Sequence, residues 1–476
     1  MPALHLSARD GAPEPIRAGL ARLREELEVP EDFPPAVLAE AERAASAVDL
    51  PELDRTDLAL VTIDPPGSTD LDQAVFIERD GDGYVVWYAI ADVGAFVTPG
   101  GAIDAEAHER GVTLYAPDGR TPLHPPVLSE GAASLLPDAL RPALLWEHRL
   151  DAAGEAVSTT VVRARVRSRE QLTYAGVQEQ VDGGTASESL QLLAEVGAKR
   201  EALEAARGGV SLQIPEQEIH VTEQGTWELE FRRTLPVEGW NAQISLLTGL
   251  QAAQIMLEAK VGILRTLPPA QQYGIDKLRR VAKGLGIRWP GKVDYPEFVR
   301  SLDPADPKHL AMLNACTTLF RGAGYAAFDG EVPEQPLHGA MNAAYAHATA
   351  PLRRLVDRYV GEACLALCAG DPVPNWVRSE LESLPKTMGR TTQRANKYER
   401  GILDLVEALV LADHVGETFT ATLVEWNDKY DDGEVQLADP AVAARVKGGR
   451  PELGDEIAVR LAKADVRTGE VEFRVA

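Results

Sequence analysis

The spacing of apolar residues changes several times along the chain, and each change marks a different kind of element. Between Pro15 and Leu27, apolar residues fall at Ile16, Leu20, Leu23 and Leu27, the spacing of one helical face. Pro34-Pro35 suits a helix start, because proline lacks only an N–H that the first turn leaves unbonded, and a second helix is expected to about Val48. From about Arg55 to Val97 the pattern becomes that of strands. Tyr84-Val85-Val86-Trp87-Tyr88-Ala89-Ile90-Ala91 is apolar throughout, as expected of a strand covered on both faces. Asp80-Gly81-Asp82-Gly83 before it reads as a hairpin turn. Strands and loops are expected to about Tyr174. Helices then dominate to about residue 415, with a mixed interlude from Ser211 to Phe231. Thr418-Phe419-Thr420-Ala421-Thr422-Leu423-Val424 opens a run of short strands that ends at Val471-Glu472-Phe473-Arg474-Val475. Evenly spaced short strands of this kind suit a small closed barrel. The expected division is a helical segment over 1–50, a mixed α/β body over 51–415 and a barrel over 416–476.

One polar stretch interrupts the first strand region: Thr62-Ile63-Asp64-Pro65-Pro66-Gly67-Ser68-Thr69-Asp70-Leu71-Asp72. Asp70 and Asp72 are two apart, so in an extended segment they face the same way. Asp64 joins them if the Pro-Pro-Gly-Ser stretch turns the chain back. Clustered carboxylates repel unless something positive lies between them. A hard divalent cation, Mg²⁺ with Mn²⁺ as a substitute, shared with a substrate phosphate, answers that requirement. The competing reading is a solvated acidic turn. The apolar runs on either side, Leu58-Ala59-Leu60-Val61 and Ala74-Val75-Phe76-Ile77, argue against it, since acids wedged between buried strands need a partner.

Charge complicates any nucleic-acid reading. The chain of 476 residues has a formal net charge of −25, whereas phosphate binding ordinarily needs a basic surface. Positive charge must therefore be local. Val161 to Arg169 alternates Arg163, Arg165, Arg167 and Arg169 with small or apolar residues, which in a strand aligns the arginines on one face. Such a stripe suits either a phosphate backbone or a solvated edge strand. Tyr174 just beyond it is placed to stack on a base. Arg353 and Arg354 follow Pro351, which reads as a helix start that would favour anions. Lys386, Arg390, Arg394, Lys397 and Arg400 read as a solvated helical face. The cysteines, Cys316, Cys364 and Cys368, form no C-x-x-C pair and suggest a reducing compartment without a zinc ribbon. Cys364 and Cys368, one helical turn apart, are expected to pack in a core. The N-terminus, Met1 to His5, lacks a charged-then-apolar signal pattern, and no apolar run is long enough to span a bilayer. A cytoplasmic protein with no membrane partner is the expectation.

Taken in order, several motifs resemble the ribonuclease II and ribonuclease R family of 3′→5′ exoribonucleases over about residues 55 to 415. They are Asp64-Pro65-Pro66 with Asp70-Leu71-Asp72; Ala89-Ile90-Ala91-Asp92-Val93; Leu135-Leu136-Pro137-Asp138-Ala139-Leu140-Arg141-Pro142; Leu172-Thr173-Tyr174; Tyr345-Ala346-His347-Ala348-Thr349-Ala350-Pro351-Leu352-Arg353-Arg354; and Glu399-Arg400. The terminal strands resemble that family's RNA-binding OB-fold of the ribosomal-protein S-one type. The resemblance implies an α+β multidomain protein: a catalytic domain of mixed sheet and surrounding helices, a C-terminal OB-fold barrel and a small helical N-terminal segment. It also implies hydrolysis of single-stranded RNA from its 3′ end to nucleoside 5′-monophosphates by Mg²⁺-activated water attack. Asp64, Asp70, Asp72 and position 73 then match the metal site, with Asp72, Asp70 and Arg353 tied to the chemistry. Arg353 matches an arginine that stabilises transition-state charge. Tyr115 and Tyr174 match base-stacking aromatics. Glu238 matches a sugar- or base-contacting acid, while His347, Arg354, Glu399 and the stripe Arg163, Arg165 and Arg167 complete the expected RNA contacts. A self-contained channel makes a monomer the expectation.

The sequence also departs from the family. Gln73 replaces the last acid of the D-x-D-D motif; its carbonyl oxygen can ligate a metal but brings no charge. Ala350 replaces a serine, Leu355 an aromatic, and Gly361-Glu362 a His-Arg pair. The usual pair of cold-shock OB-folds is missing from the N-terminal side, where about 50 helical residues stand instead. These helices suit packing on the catalytic domain, with a helix-turn-helix as the alternative; Glu25, Glu26, Glu28, Glu31 and Asp32 count against phosphate contact. Two other functions compete: a non-catalytic RNA-binding descendant, favoured by Gln73, and a small-nucleotide phosphoesterase, which would need neither the arginine stripe nor the barrel.

Overall fold

The computed structural model describes residues 14–212, 214–221, 227–427, 430–449 and 452–476. Met1 to His5 and residues 213 and 222–226 of the Ser211–Phe231 interlude lie outside them.

The body is organised around a six-stranded sheet. Its spatial order is Ala156–Arg167, Leu140–Leu150, Gly83–Ala91, Gln73–Asp80, Val61–Ile63 and Glu170–Leu172. Neighbours run antiparallel except the last pair, where Val61–Ile63 lies parallel to Glu170–Leu172. Gly83–Ala91 is central and fully buried. Its alternation divides two cores: Tyr84, Val86, Tyr88 and Ile90 face one, and Val85, Trp87, Ala89 and Ala91 face the other. That is the physical content of its unbroken apolar run. Asp80 pairs with Gly83 across a two-residue turn in which Gly81 takes φ +60°, a conformation glycine adopts without steric cost.

Helices Glu188–Ala206, Pro236–Ala259 and Leu355–Ala369 carry buried apolar residues into the first core. The second core takes Val37 and Ala41 from helix Pro35–Ser46. Helix Glu14–Glu26 buries Ile16, Leu20 and Leu23 against Tyr398, Ile402 and Leu405 of the 28-residue helix Leu384–Leu411. The N-terminal helices thus pack on the body. Cys364 is buried and Cys368 partly buried, both without a disulfide. Strands Thr418–Asn427, Asp432–Gln436, Ala443–Lys447, Glu470–Val475 and Glu456–Asp465 close a barrel in that order.

Three features differ from the sequence expectation. Helix Ala102–Arg110 interrupts the stretch expected to hold strands and loops; its last turn carries the basic residues His108 and Arg110, and Arg110 is buried. The helical stretch contains an antiparallel pair, Val261–Thr266 with Gly324–Asp329, joined across more than fifty residues, a separation no local pattern reveals. The helix after Pro351 begins only at Leu355, because Pro351 to Arg353 form a turn in which the N–H groups of Arg353 and Arg354 both bond the Ala350 carbonyl. Among the described residues no helix is long and apolar enough to cross a membrane.

Candidate active site

The acidic stretch lies between strand Val61–Ile63 and strand Gln73–Asp80, and it does turn back on itself. Ser68 donates its N–H to the Pro65 carbonyl, and Gly67 takes φ +79°. The turn gives the three carboxylates different surroundings, so they do not simply share a face.

Asp72 is 2% exposed. Its Oδ1 accepts from the Leu352 N–H at 2.8 Å and its Oδ2 from Arg353 Nε at 2.7 Å. The N–H expected to await an anion at a helix start is therefore already bonded to Asp72. Burial pushes the Asp72 carboxyl up to about 7, against the pull of Arg353 and of the Leu352 N–H. Burial also works against the charge on Arg353, but Asp72 and its neighbours more than offset this and hold the guanidinium well above its ordinary value. A charge-assisted contact of 2.7 Å to a guanidinium that stays charged favours the ionised pair. The Arg353 side chain remains 44% exposed, so its terminal nitrogens have room for a further oxyanion.

Asp70 is gripped by a hairpin. Tyr115 donates to Oδ2 at 2.9 Å and Arg120 Nη1 to Oδ1 at 2.6 Å. Tyr115 and Arg120 are opposite partners of strands Leu114–Ala116 and Gly119–Thr121. Arg120 also pairs with Glu130 through Nε at 2.9 Å and Nη2 at 2.7 Å, and donates to Thr69 Oγ1. Sequence reasoning passed over Arg120 and Glu130. Pro117-Asp118 is the two-residue turn, with Ala116 opposite Gly119, and that register places position 120 opposite Tyr115.

Asp64 lacks such a partner. Its Oδ2 is buried and makes no hydrogen bond. Burial pushes its carboxyl up to about 6; the Arg353 charge and the nearby Thr62 hydroxyl oppose this, and the Asp70 charge adds to it. A buried anionic oxygen without a donor is costly. Among the described residues no three ligand side chains converge on a point. Mg²⁺ needs only one or two carboxylates, however, with water and substrate phosphate completing its shell. The hard oxygens of Asp64 and Asp70, one of them unsatisfied, fit that demand.

Gln73 does not present a free oxygen. Its Nε2 donates to the Thr349 carbonyl at 2.6 Å, and its Oε1 accepts from Tyr88 at 2.7 Å and from Ser245 at 3.4 Å. It ties the sheet to the segment before Arg353 instead of acting as an open ligand. Tyr174 opens helix Tyr174–Asp182, capped by Thr173, and feels the charges of Asp64 and Arg353; burial pushes its hydroxyl up to about 12.

The remaining expected residues lie in other networks. Arg163 pairs with Asp92 at 2.5 Å and with Glu362, and Arg165 pairs with Asp54 at 2.7 Å. Arg167 is partly buried on the same strand. Protein carboxylates thus already hold Arg163 and Arg165, and Glu362, one of the divergent positions, is the partner that binds Arg163. Glu238 bonds the Leu235 N–H and Arg232, capping helix Pro236–Ala259. Arg354 forks onto Asp357, which also accepts the Ala350 N–H at 2.7 Å and so braces the turn that carries Arg353. His347 bonds Tyr325 at 2.8 Å; burial holds its imidazole well below the ordinary range. Glu399 is partly buried on helix Leu384–Leu411, and among the described residues no hydrogen bond or ion pair joins it to Asp64, Asp70 or Asp72.

A mixed sheet wrapped by helices, a terminal five-stranded barrel and an acidic turn with two of its three acids paired to arginines define a class before any relative is named. The chain belongs to the RNB domain family, whose model matches residues 53–368, and residues 417–476 match the RNase II-type exonuclease C-terminal S1 domain. Ribonuclease R of Escherichia coli is 27% identical over 94% of this chain. The chain spans about 60% of the length of that relative. An RNase R from Mycoplasma genitalium, solved with ribose-methylated single-stranded RNA, superposes with TM-score 0.87 at 20% identity over 98% of this chain and 79% of its own. Yeast Ssd1, described as a pseudonuclease, superposes with TM-score 0.71 at 15% identity over 94% of this chain and 58% of its own.

Proposed function

We propose that the chain is a hydrolytic 3′→5′ exoribonuclease that removes nucleoside 5′-monophosphates from a free, single-stranded 3′ end of RNA. The observation that carries this reading is the juxtaposition of Asp64, Asp70 and Asp72 with Arg353, a half-exposed guanidinium anchored by a buried acid. Mg²⁺ at Asp64 and Asp70 would supply Lewis-acid stabilisation of the phosphate and a more acidic water. Asp72 fixes Arg353 through Nε and leaves its outer nitrogens for the phosphoryl oxygens, whose charge grows in the transition state. The buried Leu352 N–H and the Asp357 brace hold that arginine in register, so little reorganisation is needed during reaction. Tyr174 and Tyr115 offer aromatic faces on which terminal bases stack.

A second reading, RNA binding without hydrolysis, is favoured by Gln73, which stands where the family has an acid and is already bonded. A time course on 5′-labelled single-stranded RNA with Mg²⁺ decides between them. Stepwise shortening is expected, abolished by EDTA and reduced by about 10²-fold or more in Asp72→Asn, which releases Arg353 from its anchor. RNA that is bound but stays intact would establish the second reading.

A further inference from the structure

Each oxygen of Asp70 already accepts a hydrogen bond. Tyr115 occupies one and Arg120 the other, both from the same hairpin. Arg120 is in turn divided between two anions. It gives Nη1 to Asp70, and Nε and Nη2 to Glu130, and its side chain is 23% exposed. A guanidinium that lets go of Asp70 therefore keeps a two-point bond to Glu130. Glu130 sits in the turn Leu128–Ala132, where Thr69 Oγ1 also reaches it at 3.2 Å. Meanwhile Asp64 Oδ2 lies buried without a donor. One carboxylate thus carries a removable cation while another has none.

We propose that Arg120 is a positioning residue that occupies Asp70 as a resident counter-cation, and that it withdraws onto Glu130 when a divalent cation arrives between Asp64 and Asp70. Arg120 and the metal compete for the charge of one carboxylate, so the fraction of molecules with Arg120 on Asp70 lowers the apparent metal affinity in proportion. Glu130 sets that fraction by stabilising the withdrawn position. The arrangement keeps the metal-free carboxylates from facing one another unpaired.

The inference rests on the reading of Asp64 and Asp70 as Mg²⁺ carboxylates, and its test needs no RNA. Isothermal titration calorimetry of the full chain with MgCl₂ compares wild type, Arg120→Gln and Glu130→Gln. Removing the competitor tightens Mg²⁺ binding in Arg120→Gln, and removing its alternative partner weakens binding in Glu130→Gln, each by about 3- to 10-fold, the size of a partly exposed ion pair. A merely structural role for the hairpin moves both variants toward weaker binding. Shifts in one direction, no shift, or a wild type that takes up no Mg²⁺ overturn the proposal. If Arg120→Gln does not fold, Glu130→Gln is read together with urea unfolding: weaker binding with an unmoved unfolding midpoint supports the exchange, and unchanged or tighter binding, or weaker binding with a lowered midpoint, overturns it. The RNA time course is scored separately. A chain that degrades RNA with unmoved Mg²⁺ affinities sinks the exchange alone, and a chain that leaves RNA intact sinks the nuclease reading.

Discussion

At the residue scale, position 73 separates composition from placement. From the sequence, Gln73 looks like a weakened metal ligand, and restoring an aspartate looks like a repair. In the structure its amide bridges the Thr349 carbonyl and the Tyr88 hydroxyl. Gln73→Asp would put a shorter carboxylate opposite the Thr349 carbonyl, acceptor against acceptor. The expected outcome in urea unfolding without Mg²⁺ is a loss of about 1–3 kcal/mol, the cost of an unsatisfied buried acceptor. An unchanged midpoint would mean that the glutamine bridge contributes nothing. The grouping of Asp64, Asp70 and Asp72 was legible because they sit within nine positions, while Arg353 joined them only through the family resemblance. Arg120 and Glu130 were not legible, because their role depends on a hairpin and a turn meeting Asp70, fifty and sixty residues away along the chain.

At the element scale, the N-terminal helix does more than cover an apolar stripe. Arg24 pairs with Asp118 at 2.5 Å, in the turn of the hairpin that carries Tyr115 and Arg120. Arg110 donates to the Asp32 carbonyl at 2.7 Å, and Arg394 to the Glu28 carbonyl at 3.2 Å. Part of the basic run on helix Leu384–Leu411, expected to be a solvated face, thus fastens the N-terminal segment. The same helix presents Glu407, 2% exposed, to Gln217 at 3.0 Å and to the Ala443 N–H at 3.2 Å beside the barrel. Burial pushes its carboxyl up to about 7, opposed by the Gln217 hydrogen bond. The unfolded chain loses this proton near the ordinary carboxylate value and the folded chain only near pH 7, so stability falls as pH rises between the two. Glu407→Gln keeps an acceptor and removes the titration. It is expected to gain roughly 1–3 kcal/mol at pH 8 and little at pH 4, read from urea unfolding at both. A gain of the same size at both pH values would refute the titration argument.

At the scale of the whole molecule, a net charge of −25 restricts where RNA can bind. Arg163 and Arg165 are held by Asp92, Glu362 and Asp54, so the accessible cationic side chain described at the acidic turn is Arg353. A few phosphate contacts in a short cationic path still release counterions. Affinity for single-stranded RNA is therefore expected to fall by about tenfold or more between roughly 50 and 200 mM NaCl, by fluorescence anisotropy with Asp72→Asn. A flat response would remove phosphate neutralisation from the binding account. The helical start, the buried strand Tyr84–Ala91, the closing barrel and the acidic turn were determined by the sequence alone, because each depends on local periodicity, turn residues or closely spaced charge. Only the tertiary structure decided which cation meets which acid: Arg353 on Asp72, Arg120 on Asp70, no ion pair on Asp64 among the described residues, and Arg163 and Arg165 of the stripe on protein carboxylates. The reason is physical. Hydrophobic periodicity acts over a few residues, whereas an ion pair depends on separations of about 3 Å between groups that the folded core alone brings together.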